Sequence, residues 1–244
     1  PTVAQLGKLG DKLSALALAE QAGVPVLPTS AALTDADVIQ AFRDTHDIET
    51  VMLKAAGGGG GRGMRIVRKC DDAAQLLNQC QQEAQAAFGN NSVYAERCVE
   101  HARHIEVQEV GDGNGGVTHL WERECTLQRQ QQKLLEVAPA PNLEATVRRH
   151  LLASACGIAE RLHYRGLGTF EFLVDMDSGA FFFIEANARL QVEHTVTEAV
   201  TGLDLVQIQL AIAAGASLAE SGLDAPPETH GFAIQTRINA ETMS

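Results

Sequence analysis

Two glutamates and one glycine run are the features of this sequence whose types and spacing could do chemistry. Met176 to Ala180 contains Asp177-Ser178-Gly179, a turn flanked by the strand-like runs Thr169 to Asp175 and Ala180 to Arg189. A turn centred on Ser178 places Asp175 opposite Phe181, Leu173 opposite Phe183 and Glu171 opposite Glu185, with both glutamates on one face. Carboxylates facing each other at about 5 Å repel by roughly 3 kcal/mol at an effective dielectric of about 20. A hard dication with oxygen ligands removes that cost, which points to Mg²⁺, with Asn187 as a further oxygen ligand on the same face. The alternative is a frayed hairpin with both glutamates in water. If the pair does face, neutralising either glutamate is expected to stabilise the metal-free protein.

The glycine run is Gly57-Gly58-Gly59-Gly60-Gly61-Arg62-Gly63, preceded by Lys54. With no Cβ in the way, its backbone N–H groups can approach an anion closely, and Lys54 and Arg62 add cations. A polyphosphate is the natural ligand; the alternative is a flexible surface linker. The run is not a Walker A loop, since no GK[ST] opens a helix, and not a dinucleotide fingerprint, since a strand follows it. The expected behaviour is a lid closing over a triphosphate.

After the second strand, Asn187, Arg189, Gln191 and Glu193 alternate with apolar residues and would share the face of Glu185. An arginine, an amide and a carboxylate together could bind a small oxyanion and deprotonate it. Periodicity alone favours a solvated edge strand.

Several elements must position these residues. Asp11 can cap a helix running to Gly23, and a strand at Thr50 to Lys54 enters the glycine run while Met64 to Arg68 leaves it. Asp71 or Asp72 caps a helix with Leu77, Cys80 and Ala84 on one face, and Val93 to Val99 reads as a strand. Residues 26–99 thus form a small unit, expected to be a mobile lid subdomain. Ile105 to Val110 and Val117 to Trp121 pair across a Gly-rich turn, Leu143 to Leu162 is a long amphipathic helix, and Asp204 caps another to Gly215. The order is mixed α+β.

Composition sets outer limits. The chain has 244 residues, 45% of them hydrophobic, and a net charge of −12, which opposes a general nucleic-acid surface but not a nucleotide site built from a few cations. Its longest uncharged stretch, 205–219, is broken by Gln207 and Gln209, so no membrane span is expected. No signal peptide is visible, and the absence of an initial Met suggests a processed or truncated piece. Five cysteines without a CxxC suggest reduced structural thiols and a cytoplasmic location.

The strings GGGGGRGMRIV, RHIEVQ, ERECTLQRQQQK, GTFEFLVD, FFFIEANARLQVEHTVTE and TRINAE, in this order, resemble the biotin carboxylase component of biotin-dependent carboxylases. The resemblance covers the whole chain and implies the ATP-grasp fold over residues 1–244, without the family's N-terminal subdomain and with residues 230–244 beginning its C-terminal one. It implies that ATP phosphorylates bicarbonate to carboxyphosphate, whose CO₂ then carboxylates N1′ of carrier-bound biotin. Mg²⁺ or Mn²⁺ would accompany ATP. Expected partners are a biotin carrier and a carboxyltransferase, with a homodimer allowed, in the cytoplasm or, in a eukaryote, the mitochondrial matrix.

By resemblance, Lys12 and Lys54 contact ATP phosphates and Gly57, Gly58, Gly59, Gly60, Gly61 and Gly63 form the lid. Glu96, Arg97 and Val99 lie in the adenine hinge, and His104, Gln128 and Gln131 line the nucleotide side. Glu171, Glu185 and Asn187 hold the metal. Lys133, Arg189, Gln191 and the Val192 backbone hold bicarbonate, Glu193 takes its proton, and Arg237 stabilises the biotin enolate. The sequence departs from the family pattern at Gln131, Arg97, His101-Ala102 and Ala188, which touches nucleotide affinity more than chemistry. Two other readings stay open: a carbamoyl-phosphate-forming ATP-grasp ligase, and a nucleotide-binding fragment with little or no activity of its own.

Overall fold

The computed structural model describes residues 1–57 and 62–238. Helices α1 (Val3–Gly10) and α2 (Lys12–Gln21) open the chain, and Asp11 caps α2 by accepting from the Ser14 amide at 2.8 Å. A small unit follows: β1 (Thr29–Ala32), α3 (Ala36–His46), β2 (Val51–Ala55), β3 (Met64–Val67), α4 (Ala73–Phe88) and β4 (Val93–Arg97). Its strands pair in the order β1-β4-β2-β3, and its core (Ile39, Phe42, Val51, Leu53, Leu77, Cys80, Ala84) is separate from the rest. Asp72, of the two candidates, caps α4, and Gly89 ends it in the left-handed region. Helix α3 was not expected, although Asp35 caps it and Ile39 and Phe42 give it a buried face.

The larger unit holds β5 (Ala102–Asp112), β6 (Val117–Glu124), β7 (Gln128–Arg129), β8 (Gln132–Lys133), β9 (Leu135–Ala138), α5 (Ala145–Arg161), β10 (Arg165–Asp175), β11 (Phe181–Asn187), α6 (His194–Thr201), α7 (Leu205–Ala214) and β12 (Ala233–Thr236). Six of its strands pair in the order β11-β10-β5-β6-β9-β12; β7 and β8 form a separate ribbon. One face of the sheet packs Ile105, Val107, Phe170, Phe172 and Phe183 against α2 and α5. The other packs Val110, Leu120 and Leu167 against α7. Because both faces are covered, β5 and β10 are buried along most of their length, polar residues included.

Two local details differ from expectation. Glu171 does pair with Glu185, but Phe172 pairs with Phe183 and Leu173 with Phe182, because a bulge lies between the two registers. The turn sits one half-residue from Ser178 and the extra residue, Ile184, restores the glutamate pairing. Phe183 therefore joins the core rather than the glutamates' face. The second difference is that β11 ends at Asn187; 188–193 is an irregular turn into α6, so the alternation there does not describe a strand. In β6, Trp121 adopts a left-handed conformation (φ 68°) where the β5–β6 ladder shifts register. The expectations for Gly58 to Gly61, and for 239–244 at the end of the expected 230–244 segment, fall outside the described residues.

Candidate functional site

The backbone ladders build a row of charge. Glu171 on β10 pairs with Glu185 on β11 and also with Glu106 on β5, and Glu106 pairs with Arg123 on β6. Arg123, Glu106, Glu171 and Glu185 thus stand side by side across four adjacent strands, three of them carboxylates, where sequence reasoning found two. Cross-strand neighbours of like charge at such spacing require compensation. Each carboxylate has it. Arg123 Nε donates to Glu106 Oε1 at 2.6 Å, Lys133 bonds Glu106 Oε2 and lies 3.2 Å from Glu171, and Lys12 Nζ is 3.0 Å from Glu185.

This corrects the expected repulsion. Glu171 also accepts from His104 Nε2 at 2.6 Å, Asn187 Nδ2 at 2.8 Å and Gln191 Nε2 at 3.2 Å. Burial would raise its carboxyl, but Lys133 and His104 hold it well below the usual carboxylate range. Burial would likewise lower the Lys133 ammonium, and Glu106, Glu171 and Glu193 outweigh it, holding Lys133 above the ordinary lysine range. Gln128 Nε2 donates to His104 Nδ1 at 2.8 Å and to the Cys125 carbonyl at 2.9 Å, which turns the ring's Nε2–H to Glu171.

Beside this row, Glu193 is 2% exposed and occupies the N-cap position of α6 without capping it. Its Oε1 accepts from Lys133 Nζ at 2.7 Å and its Oε2 from Arg237 Nη2 at 2.8 Å. Arg237 Nε also donates to buried Glu136 at 2.7 Å. Arg189 is exposed at the rim, 3.4 Å from Asn187 Oδ1, while Gln191 is buried with no partner for its Oε1. In the small unit, Lys54 forms a buried ion pair with Glu96.

These groups line one cavity of about 900 Å³ between the two units. Its walls include Lys12, Lys54, Glu96, Arg97, Val99, His104, Gln128, Gln131, Lys133, Glu171, Glu185, Asn187, Arg189, Gln191, Val192, Glu193 and Arg237, together with Met52, Met64, Leu173 and Ile184. Gly57 and Gly63 do not line it. Sequence reasoning assigned no role to Glu106, Arg123 or Glu136, which lie beneath the floor. A charged residue alternating with apolar ones reads as solvent-facing, and only the covering of both sheet faces makes it buried; the facing glutamates were the available signal.

Glu171 and Glu185 present hard oxygen donors on adjacent strands, the donor type that Mg²⁺ takes, while Asn187 turns its Oδ1 to Arg189 and would add an oxygen to the pair only with its amide reversed. Asn187 Nδ2 lies 2.8 Å from Glu171 and 3.3 Å from Glu185, so the amide bridges the pair. The residues fit a hard dication. His104, Glu106 and Glu171 are also close enough to converge on an ion, but Lys133 already bonds both glutamates.

Among the described residues, no single helix is long and apolar enough to cross a membrane. Residues 11–221 match the family model described as the carbamoyl-phosphate synthase L chain, ATP-binding domain. The chain is 47% identical over 246 residues to a pyruvate carboxylase of Aspergillus niger, covering 100% of this chain and 20% of that protein. It thus spans a fifth of the relative's length. Its structure is similar to a biotin carboxylase–β,γ-ATP complex from Campylobacter jejuni (TM-score 0.90, 40% identity, 97% of this chain and 52% of the other). It is also similar to the biotin carboxylase domain dimer of Hydrogenobacter thermophilus 2-oxoglutarate carboxylase in complex with MgADP, ADP and bicarbonate (TM-score 0.90, 38% identity, 98% and 52%).

Proposed function

The chain belongs to the family of carbamoyl-phosphate synthase L chain ATP-binding domains and has the ATP-grasp fold of biotin carboxylases; from that premise we propose that it supplies the ATP- and bicarbonate-dependent carboxylation of carrier-bound biotin. The observation that carries this reading is Glu193, a buried carboxylate clamped between Lys133 and Arg237 at the wall of the cavity.

ATP would lie between the units, with its adenine at the Glu96 to Val99 hinge and its phosphates toward Lys54 and Lys12. Lys133, Arg189, Gln191 and the Val192 amide would hold bicarbonate so that Glu193 removes its proton. The deprotonated oxygen attacks the terminal phosphorus, the bond to ADP breaks, and carboxyphosphate forms. This then gives CO₂ and phosphate; the phosphate would take the N1′ proton, Arg237 would stabilise the resulting enolate form, and N1′ would bond to CO₂. Glu171, Glu185 and Asn187 would hold Mg²⁺, which neutralises charge on the phosphates. The Glu193–Lys133 and Glu193–Arg237 contacts keep the base buried yet aimed, so the groups for both steps adjoin. Residues 26–99 would act as the lid. A biotin carrier and a carboxyltransferase would be the partners. By itself this chain would turn over weakly or not at all.

In the polypeptide that carries this chain with its natural flanks, Glu193→Gln should lower bicarbonate-dependent ADP release at least about a hundredfold while nucleotide binding persists. Wild-type release in that variant overturns the assignment. Stimulation of ATP cleavage by free biotin in the wild type separates this reading from a carbamoyl-phosphate-forming ligase.

A further inference from the structure

Arg123 is the largest fully buried side chain described, and it lies beneath the cavity rather than in it. Its guanidinium reaches three other elements. Nε donates to Glu106 Oε1 (2.6 Å), Nη1 to Gln108 Oε1 (2.8 Å) and Thr197 Oγ1 (2.9 Å), and Nη2 to Thr169 Oγ1 (3.3 Å). Arg123 sits on β6, Glu106 and Gln108 on β5, Thr169 on β10 and Thr197 on α6.

These bonds close a ring. Glu193 bonds Lys133, Lys133 bonds Glu106, Glu106 bonds Arg123, and Arg123 bonds Thr197, which stands one turn along α6 from Glu193. The ring matters because the backbone constrains its two functional members poorly. Lys133 lies on the two-residue strand β8, whose ribbon is not paired into the main sheet. The ribbon's turn holds Gln130 and Gln131 at φ 51° and 61°, a conformation that glycine or asparagine would favour. Glu193 lies in the irregular turn before α6. Arg123, by contrast, is held by the centre of the sheet.

We propose that Arg123 is a positioning residue that, through Glu106 on one side and Thr197 on the other, fixes Lys133 and Glu193 relative to each other. The proposal deepens the reading of Lys133 as bicarbonate anchor and Glu193 as base, and rests on it. A planar guanidinium can serve these partners at once; a lysine ammonium in its place reaches Glu106 but cannot span to Thr197 and Thr169 together.

Arg123 variants leave Glu106 in a buried site without its partner and can fail to fold, so the principal test is Thr197→Val, nearly isosteric and lacking only the hydroxyl. In the polypeptide carrying this chain with its natural flanks, Thr197→Val should lower kcat for bicarbonate-dependent ADP release about tenfold and raise the bicarbonate KM, leaving the nucleotide KM unchanged. Thr197→Ser should restore both. A purely structural role predicts instead a lower melting temperature with no split between bicarbonate and nucleotide. Unchanged kinetics in Thr197→Val, or a Thr197→Ser variant as impaired as Val, overturns the proposal. If the wild type shows no bicarbonate-dependent release, the functional reading falls, and crystal structures of wild type and Thr197→Val decide the ring alone. A Lys133–Glu193 contact kept in the variant as in the wild type refutes the proposal, and one opened only in the variant supports it.

Discussion

At the scale of single residues, the decisive fact is that buried carboxylates here are of two kinds. Glu171 has four hydrogen-bonding partners, two of them cationic or capable of it, whereas Glu109, at the middle of β5, has one thiol, Cys156 Sγ at 3.5 Å. Neutralising Glu171 removes charge-assisted hydrogen bonds and leaves Lys133 less compensated. Glu171→Gln should therefore cost about 2 kcal/mol in EDTA, opposite in sign to the expectation from facing charges. Glu185 is partly exposed, and its polar bonding partners among the described residues are Lys12 and Asn187, so Glu185→Gln should change stability by less than about 1 kcal/mol. Urea unfolding of the two variants measures the difference; a more stable Glu171→Gln protein would mean that repulsion wins after all. Burial pushes the Glu109 carboxyl well above the usual carboxylate range, with the Cys156 hydrogen bond opposing it and the Glu160 charge adding to it. The folded state thus binds that proton more tightly than the unfolded chain, so its contribution is complete below about pH 4.5 and is lost as pH rises through the elevated value. Glu109→Gln should gain stability relative to wild type between about pH 5 and about pH 9, read from melting curves at both. Parallel curves for the two proteins would show that Glu109 is not the group responsible.

Among elements, legibility followed how local the signal was. Asp11, Asp72 and Asp204 announced the helices they cap, because a cap is read from neighbouring residues. Helix α6 was hidden, because Thr195, Val196, Thr197 and Val200 favour extended backbone and the preceding residues alternate; Gly202, which ends it in the left-handed region, was the available clue. The facing of Glu171 and Glu185 was legible, but through a turn misplaced by half a residue and a bulge at Ile184 that cancel. Arg123 and Glu106 were illegible as a buried pair because their burial depends on α5, α6 and α7 packing over both sheet faces, a tertiary fact. The entry and exit of the glycine run carry a constraint of their own. Gly63 has φ +66°, and a Cβ there would stand 2.9 Å from the Ala55 Cβ and 3.8 Å from that of Ala84. Gly63→Ala should destabilise the small unit by about 1–2 kcal/mol, seen as faster amide exchange in β2 and α4 with the large sheet unaffected. Equal exchange in variant and wild type would show that the loop yields at no cost.

For the molecule as a whole, two separate cores with a polar cavity between them leave the cavity's ion pairs to set its electrostatics. Lys54 is matched by Glu96, Lys12 by Glu185, Lys133 by Glu106 and Glu193, and Arg237 by Glu136 and Glu193. The cavity's lysines and Arg237 therefore already have carboxylate partners before a ligand arrives, in keeping with a chain of net charge −12. On the proposed function, a polyanion entering here would trade places with carboxylates instead of settling on a basic patch. On the proposed reading Lys12 would change partner, and the glutamate it releases, Glu185, is one whose oxygens suit a dication. Loading the cavity would then be an exchange of ion partners, in which Glu185 gives up Lys12 and becomes free for an incoming metal. Nucleotide without metal would strand that freed carboxylate, so the resting pairing itself makes the two ligands favour arriving together.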